Sequence, residues 1–186
     1  LAIVGSTTGD GGLSDLAVRA ARFVVRKQQS NGSWVYGTDS KQAWVDNFHT
    51  AYVLRSLAAI TQCSTAADEE FRPALLSGFK FWRDSFFLAD GWPKYYHDDP
   101  YPADAHAGAS AIVTFLELGD LDENSTDLAE RVASWTIRNL RDERGFFYYQ
   151  KRRFYTVKKP YMRWSQAWML YALGRLLERL CQSRPM

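Results

Sequence analysis

Apolar residues recur at spacings of three and four through Leu16–Gln29, Ala74–Leu88 and Leu128–Arg141. That is the period of a helix with one buried stripe. Each stretch ends in the same kind of turn: Gly32-Ser-Trp-Val-Tyr36, Gly91-Trp-Pro-Lys-Tyr95 and Gly145-Phe-Phe-Tyr-Tyr149. The glycines are 59 and 54 residues apart. Glycine can end a helix at positive φ without a Cβ penalty. Each turn leads to a second, more uniformly apolar stretch: "TAYVLRSL", "ASAIVTFL" and "QAWMLYAL". Setting Thr50, Ala109 and Gln166 level aligns them, 18, 18 and 21 residues after their glycines.

The pattern predicts helix, Gly-aromatic turn, helix, three times over. Helices are expected near 14–29, 46–62, 70–88, 104–119, 125–141 and 162–181. The second helix of each pair is apolar nearly all round and should be inner. The first carries charge, as in Arg19, Arg22 and Arg26, and should be outer. "QCSTAADEEFRP" and "LGDLDENSTD" are polar links, and Ser125 or Thr126 is placed to cap the fifth helix. The fold expected is all-α: one domain over 1–186, an α/α-toroid arc of three antiparallel hairpins at about 14–62, 70–119 and 125–181. The segment "RGFFYYQKRRFYTVKKPYMRW" adds a short β-hairpin, expected to turn near Lys151–Arg153.

Arg19-Ala20, Phe23-Val24, Gln28, Gly32 and Trp34 have the spacing of the QW repeat, which resembles that of helical-hairpin toroids such as the terpene cyclases. The match is complete only in the first pair. A class II cyclase needs an Asp-x-Asp-Asp acid, and "YHDD" at Tyr96–Asp99 lacks its first Asp. A prenyltransferase needs a zinc set that neither Cys63 nor Cys181 can join. Gln28 and Trp34 are therefore expected to lock neighbouring hairpins rather than do chemistry.

Composition narrows the rest. Net charge is +2 and names no partner, but 15% of residues are aromatic, with seven Trp and ten Tyr. No apolar run approaches the roughly 20 residues of a membrane span. The two cysteines have no metal-like spacing, which favours a reducing, cytoplasmic setting, with the periplasm as the alternative. There is no phosphate loop, dinucleotide fingerprint or Gly-x-Ser-x-Gly elbow, so no cofactor is expected. His97, Asp98, Asp104 and His106 match no strong metal signature.

Chemistry concentrates where the inner helices begin. All three histidines, His49, His97 and His106, lie there. Helix N-termini favour anionic groups. The candidates for proton transfer are His49, His106, Tyr96 and Tyr155. Those for substrate contact are Trp44, Asp46, Asn47, Asp104, Arg163, Trp164 and Gln166. Repeat alignment sets Asn47, His106 and Arg163 at equivalent positions. Asp46 and Asp104 also suit helix caps. Basic charge interleaved with rings at 151–159 suits a polyanion. An anionic oligo- or polysaccharide is the partner expected; no recognisable nucleic-acid module is present.

The strings "WVDNFHTAYVL", "DGWPKYYHDDPYPADAHAGASAIV" and "RGFFYYQKRRFYTVKKPYMRWSQAWMLYAL" together resemble one family. It is a group of bacterial and archaeal helical-toroid proteins encoded with polysaccharide-biosynthesis genes, including those named VpsJ. The resemblance spans about residues 15–180. Some members carry the label delta-aminolevulinic acid dehydratase; those dehydratases are TIM barrels, and nothing here alternates strand with helix. Family members are typically about twice this length, so the resemblance implies a C-terminal half that meets missing N-terminal hairpins, or a homo-oligomer. More distantly the architecture is similar to glucuronyl C5-epimerases and toroid polysaccharide lyases. The resemblance implies a carbohydrate-processing role in exopolysaccharide or surface-glycan synthesis, as a uronate epimerase, lyase or hydrolase. The alternatives are a non-catalytic glycan-binding scaffold and a protein for polyprenyl or lipid-linked substrates.

Overall fold

The structure is a computed structural model that describes residues 1–63 and 65–183. It contains α1 (Ala2–Thr8), α2 (Gly11–Arg26), α3 (Asn47–Thr61), α4 (Thr65–Phe86), α5 (Ala105–Glu117), α6 (Ser125–Leu140) and α7 (Trp168–Ser183). A π-helical turn, Met162–Ala167, leads into α7. The three two-residue strands are β1 (Ala103–Asp104), β2 (Gln150–Lys151) and β3 (Thr156–Val157), paired antiparallel in that order. The architecture is the expected helical toroid arc with β insertions.

The inner helices α3, α5 and α7 lie side by side with α5 in the middle, while α4 packs along α3 and α6 along α5. Small residues make the central position possible. Every residue from Ala105 to Phe115 is buried, and Gly108 faces Thr136 of α6 so closely that a Cβ would meet its hydroxyl at 2.7 Å. Among inner–outer pairs the most extensive are α3 with α4 and α5 with α6. Each of these inner helices thus packs best on the outer helix that follows it, whereas the expected hairpins pair it with the one before. The reason is loop length: a few polar residues join α3 to α4, while the Gly-aromatic loops hold each outer helix and its following inner helix further apart.

The three repeated glycines all adopt positive φ, at 92°, 91° and 99° for Gly32, Gly91 and Gly145. The first two also have no room for a side chain. A Cβ at Gly32 would meet Ser77 O of α4 at 2.6 Å, and one at Gly91 would meet Arg131 O of α6 at 2.4 Å. Each of these turns therefore backs onto the next outer helix. Gln28 Nε2 donates to Gly32 O and Ala74 O, both at 2.9 Å, and Trp34 Nε1 donates to Val24 O at 3.0 Å. Trp34 is buried against Gly78. Both residues join helices.

Several boundaries differ from expectation. The apolar spacing gives no sign of α1. α4 starts at Thr65 and carries Pro73 inside it. Asn124, not Ser125 or Thr126, occupies the α6 cap position. The hairpin turns over Arg152–Tyr155, where Arg152 N donates to Tyr155 O at 2.8 Å, slightly beyond the expected place.

Caps and strands together position the site. Asp46 and Asp104 cap α3 and α5, accepting from His49 N at 2.9 Å and Ala107 N at 2.6 Å. A ladder of short bridges ties these caps together: Asp46 with Tyr96, Lys94 with Ala103, and Asp104 with Gln150. It continues into the β2–β3 hairpin. The starts of neighbouring inner helices are thus held in register by backbone hydrogen bonds.

Candidate active site

Two histidines lie at the starts of α3 and α5, each with a fixed partner. His49 Nδ1 lies 3.0 and 2.9 Å from Oδ1 and Oδ2 of Asp46. The Asp46 side chain has no solvent exposure, while that of His49 is 40% exposed. Trp44 Nε1 donates to the same carboxylate at 3.2 Å. A carboxylate on one ring nitrogen sets ring orientation and tautomer. A proton on Nδ1 satisfies the carboxylate, and Nε2 is the ring nitrogen turned away from it. The buried Asp46 carboxylate is thus occupied by His49, Trp44 and the α3 cap.

His106 is nearly fully buried, and its Nε2 lies 2.6 Å from the hydroxyl of Tyr52. Burial disfavours the imidazolium, and the neighbouring His49 adds to this, so the pKa of His106 falls to about 4. Burial pushes the Tyr52 phenol up to about 12. Both groups rest neutral at pH 7. With Nε2–H of His106 donating to the Tyr52 oxygen, the Tyr52 O–H is free to donate to an oxygen on which negative charge develops.

Phe48 joins the two. Its ring centroid is 4.2 Å from that of His49 and 4.5 Å from that of His106, stacked on the latter. Tyr52 lies 6.1 and 6.0 Å from the same two rings. Further rings extend the surface both ways. Tyr36 sits 4.6 Å from His49 and stacks on Trp44 at 4.8 Å and 9°. Trp164 and Trp168 flank His106 at 5.4 and 5.0 Å. Tyr95 meets Phe48 at 5.5 Å and Tyr96 at 4.6 Å. Burial raises the pKa of Tyr95 and Tyr96. Tyr36, Trp44 and Trp164 keep exposed faces on which sugar rings can stack. A pocket of about 350 Å³ opens beside His49 and Tyr52 and runs between α2 and α3 over Val24, Val53, Leu57 and Ile60.

The site thus gathers His49, His106, Tyr96, Trp44 and Trp164, with Asp46 behind them. The other expected contacts need correction. Asn47 is fully buried; its Nδ2 donates to Lys94 O at 2.9 Å and its Oδ1 accepts from Trp82 Nε1 at 2.8 Å. Asp104 is buried too, its carboxylate taken by the α5 cap and by Gln150 Nε2 at 3.4 Å, with burial raising its pKa to about 6. Gln166 clamps Phe147, donating to its O at 2.7 Å and accepting from its N at 2.9 Å. All three are structural because their polar atoms are spent on the fold. Tyr155 lies on the exposed hairpin turn, with no ring contact to either site histidine. Arg163 is exposed and shares a shallow pocket with Trp168 and Tyr171. It stands one ring removed from His106.

The expected equivalence of Asn47, His106 and Arg163 also shifts. The two caps set Asp46 level with Asp104, so Phe48 is the counterpart of His106, and their stacking follows from that register. Tyr52 is absent from the expected set. It lies three residues after His49, hence on the same helix face, and that spacing is the signal that could have found it. Among the described residues no three His, Cys, Asp or Glu side chains cluster as a metal site, and no helix is long and apolar enough to cross a membrane.

No family model matches the chain, and no curated protein matches it in sequence. Solved structures do resemble it. The cellobiose 2-epimerase from Bacillus thermoamylovorans B4167 superimposes with a TM-score of 0.69 at 13% identity, over 94% of this chain and 48% of that one. A sugar epimerase from a ruminal bacterium gives 0.71 at 12% identity, over 100% of this chain and 51% of that one. At such identities the likeness shows the fold. The chain spans about half the length of each.

Proposed function

We propose that this chain supplies the acid–base face of a carbohydrate-processing toroid, and that the reaction is proton transfer at a sugar carbon next to a carbonyl or carboxylate, as in epimerisation or lyase-type elimination. The observation that carries the reading is the pairing of two differently held histidines across Phe48. Removing a C–H proton needs a base with a free nitrogen, and His49 Nε2 is that atom. It also needs the enolate oxygen stabilised, and the neutral Tyr52–His106 pair is placed to do so. Exposed rings on both sides suit a saccharide. The two epimerase-like structures support the reading by analogy of fold. The resemblance to polysaccharide-biosynthesis toroids favours an exopolysaccharide or surface glycan as the substrate pool, acted on in the cytoplasm, with further hairpins completing the ring.

The test is incubation of the protein in D₂O with a panel of neutral and uronate-bearing oligosaccharides, followed by NMR. Loss of one ring C–H signal supports the proposal. Glycan binding without exchange replaces it with a non-catalytic glycan-binding toroid. One observation favours a second reading: the apolar pocket between α2 and α3 opens beside His49 and suits a polyprenyl tail. Retention of a polyprenyl phosphate, abolished by Val53→Asp, would establish it.

A further inference from the structure

Arg152 differs from Arg55, Arg83 and Arg153 in its pairing. Its neighbour Arg153 pairs with Asp99 at 3.8 Å and lies over Tyr101. Arg55 and Arg83 each have a carboxylate within 2.9 Å. Arg152 has none among the described residues, and is exposed. It is nevertheless held. Its Nη2 donates to Gln150 Oε1 at 3.1 Å, and Gln150 is itself buried, its amide nitrogen turned to the Asp104 cap. The guanidinium rests over the Tyr155 ring at 5.8 Å. Ladder and cap therefore fix the direction of a cation whose charge is unspent.

That cation stands beside the segment that carries Tyr95 and Tyr96. The ladder places β2 beside β1, which lies beside the segment carrying Tyr95 and Tyr96. The positive charge of Arg152 is felt at the phenols of Tyr96 and Tyr149, where it opposes the upward push of burial. Tyr96 contacts Tyr95, which contacts Phe48 between the two histidines.

We infer that Arg152 is the specificity-determining residue of the site, reading a carboxylate on the saccharide with its free guanidinium edge. This rests on the sugar-processing reading above and narrows the substrate to an acidic, uronate-type glycan. A planar fork matches a carboxylate bidentately. One guanidinium nitrogen is committed to Gln150, and the remaining donors have no hydrogen-bond partner among the described residues. Neutralising the carboxylate of a uronate would also acidify the adjoining C–H that His49 addresses. Arg163, a substrate-contact candidate from the sequence, lines a separate shallow pocket with Trp168 and Tyr171.

The experiment measures calorimetric binding of the protein to glucuronate, galacturonate and mannuronate oligosaccharides and to their carboxyl-reduced counterparts. Wild type should bind at least one uronate about tenfold or more tighter than its reduced partner. Arg152→Gln should abolish that preference with the neutral affinity and melting temperature unchanged. Arg152→Lys should keep part of it, and Arg153→Gln should keep it whole. Equal binding of acidic and reduced glycans, or a preference that survives Arg152→Gln, overturns the Arg152 assignment and leaves the sugar site standing. No binding to any member overturns both.

Discussion

The hydroxyl of Tyr52 and Nε2 of His106 lie 2.6 Å apart, across 54 positions of sequence and two helices. This bond joins the faces of α3 and α5 at the site, and both partners are neutral at pH 7. Tyr52→Phe keeps the ring and its packing on Trp168 but removes the hydroxyl. Turnover should fall by about tenfold or more, while stability changes by about 1 kcal/mol. Rate measurements beside a denaturation curve check this. A rate unchanged from wild type would remove Tyr52 from the mechanism.

His106 should impose a pH dependence on stability. Its pKa is about 4 when folded, below its ordinary 6.5. Between those values the unfolded chain takes up a proton that the folded chain refuses. Stability from this source is full above pH 6.5 and is lost as pH falls toward 4. It amounts to about 3 kcal/mol. Urea unfolding should show His106→Gln gaining stability relative to wild type as pH falls through this range.

Asp104 acts with the opposite sign. Its folded pKa is about 6, above its ordinary 3.8. The folded chain holds a proton that the unfolded chain releases, so stability falls as pH rises from about 4 to about 6. Above that range the buried charge costs about 3 kcal/mol. Asparagine caps a helix about as well as aspartate. Asp104→Asn should therefore raise stability by about 1–2 kcal/mol at about pH 8, with the gain gone near pH 4. In wild type the two slopes largely cancel between about pH 4 and about pH 6, and each variant should unmask the other.

Trp34 and Gly78 form a size pair. A Cβ on Gly78 would sit 2.4 Å from the Trp34 ring. Trp34→Ala should cost about 3–5 kcal/mol, and Gly78→Ala should also destabilise. In the Trp34→Ala background the added methyl has space, so its cost should vanish. A double-mutant cycle measures this coupling. Additive costs would show that the ring yields.

Much of this fold is legible in the amino-acid order because its signals are local. The three glycines report the turns, the spacing of apolar residues reports the helices, and Asp46 and Asp104 report two helix starts. The candidate site is legible by region: His49, His106 and Trp164 are joined through ring contacts at the starts of the inner helices, with Tyr96 linked through Tyr95. What is hidden depends on partners distant in sequence. Asn47 reads as available until Trp82 and Lys94 take its amide, and Gln166 until Phe147 does. The role of Tyr52 emerges only when His106 is brought to it. In the third repeat Tyr161 O accepts from both Ser165 N and Gln166 N, opening a π turn. That extra residue shifts Arg163 out of the register that simple alignment gives it.

His49 and the Tyr52–His106 pair are proposed to move a proton at a sugar carbon, and isotope exchange reads that step itself. The quantity to measure is the rate of deuterium incorporation from D₂O into a bound oligosaccharide, for wild type, His49→Gln and His106→Gln. Exchange should occur at one ring carbon in wild type and fall by about 100-fold or more in each variant, with each still folded and binding glycan. Wild-type exchange rates in both variants, or a bound glycan that never exchanges in wild type, would rule out proton transfer by these residues.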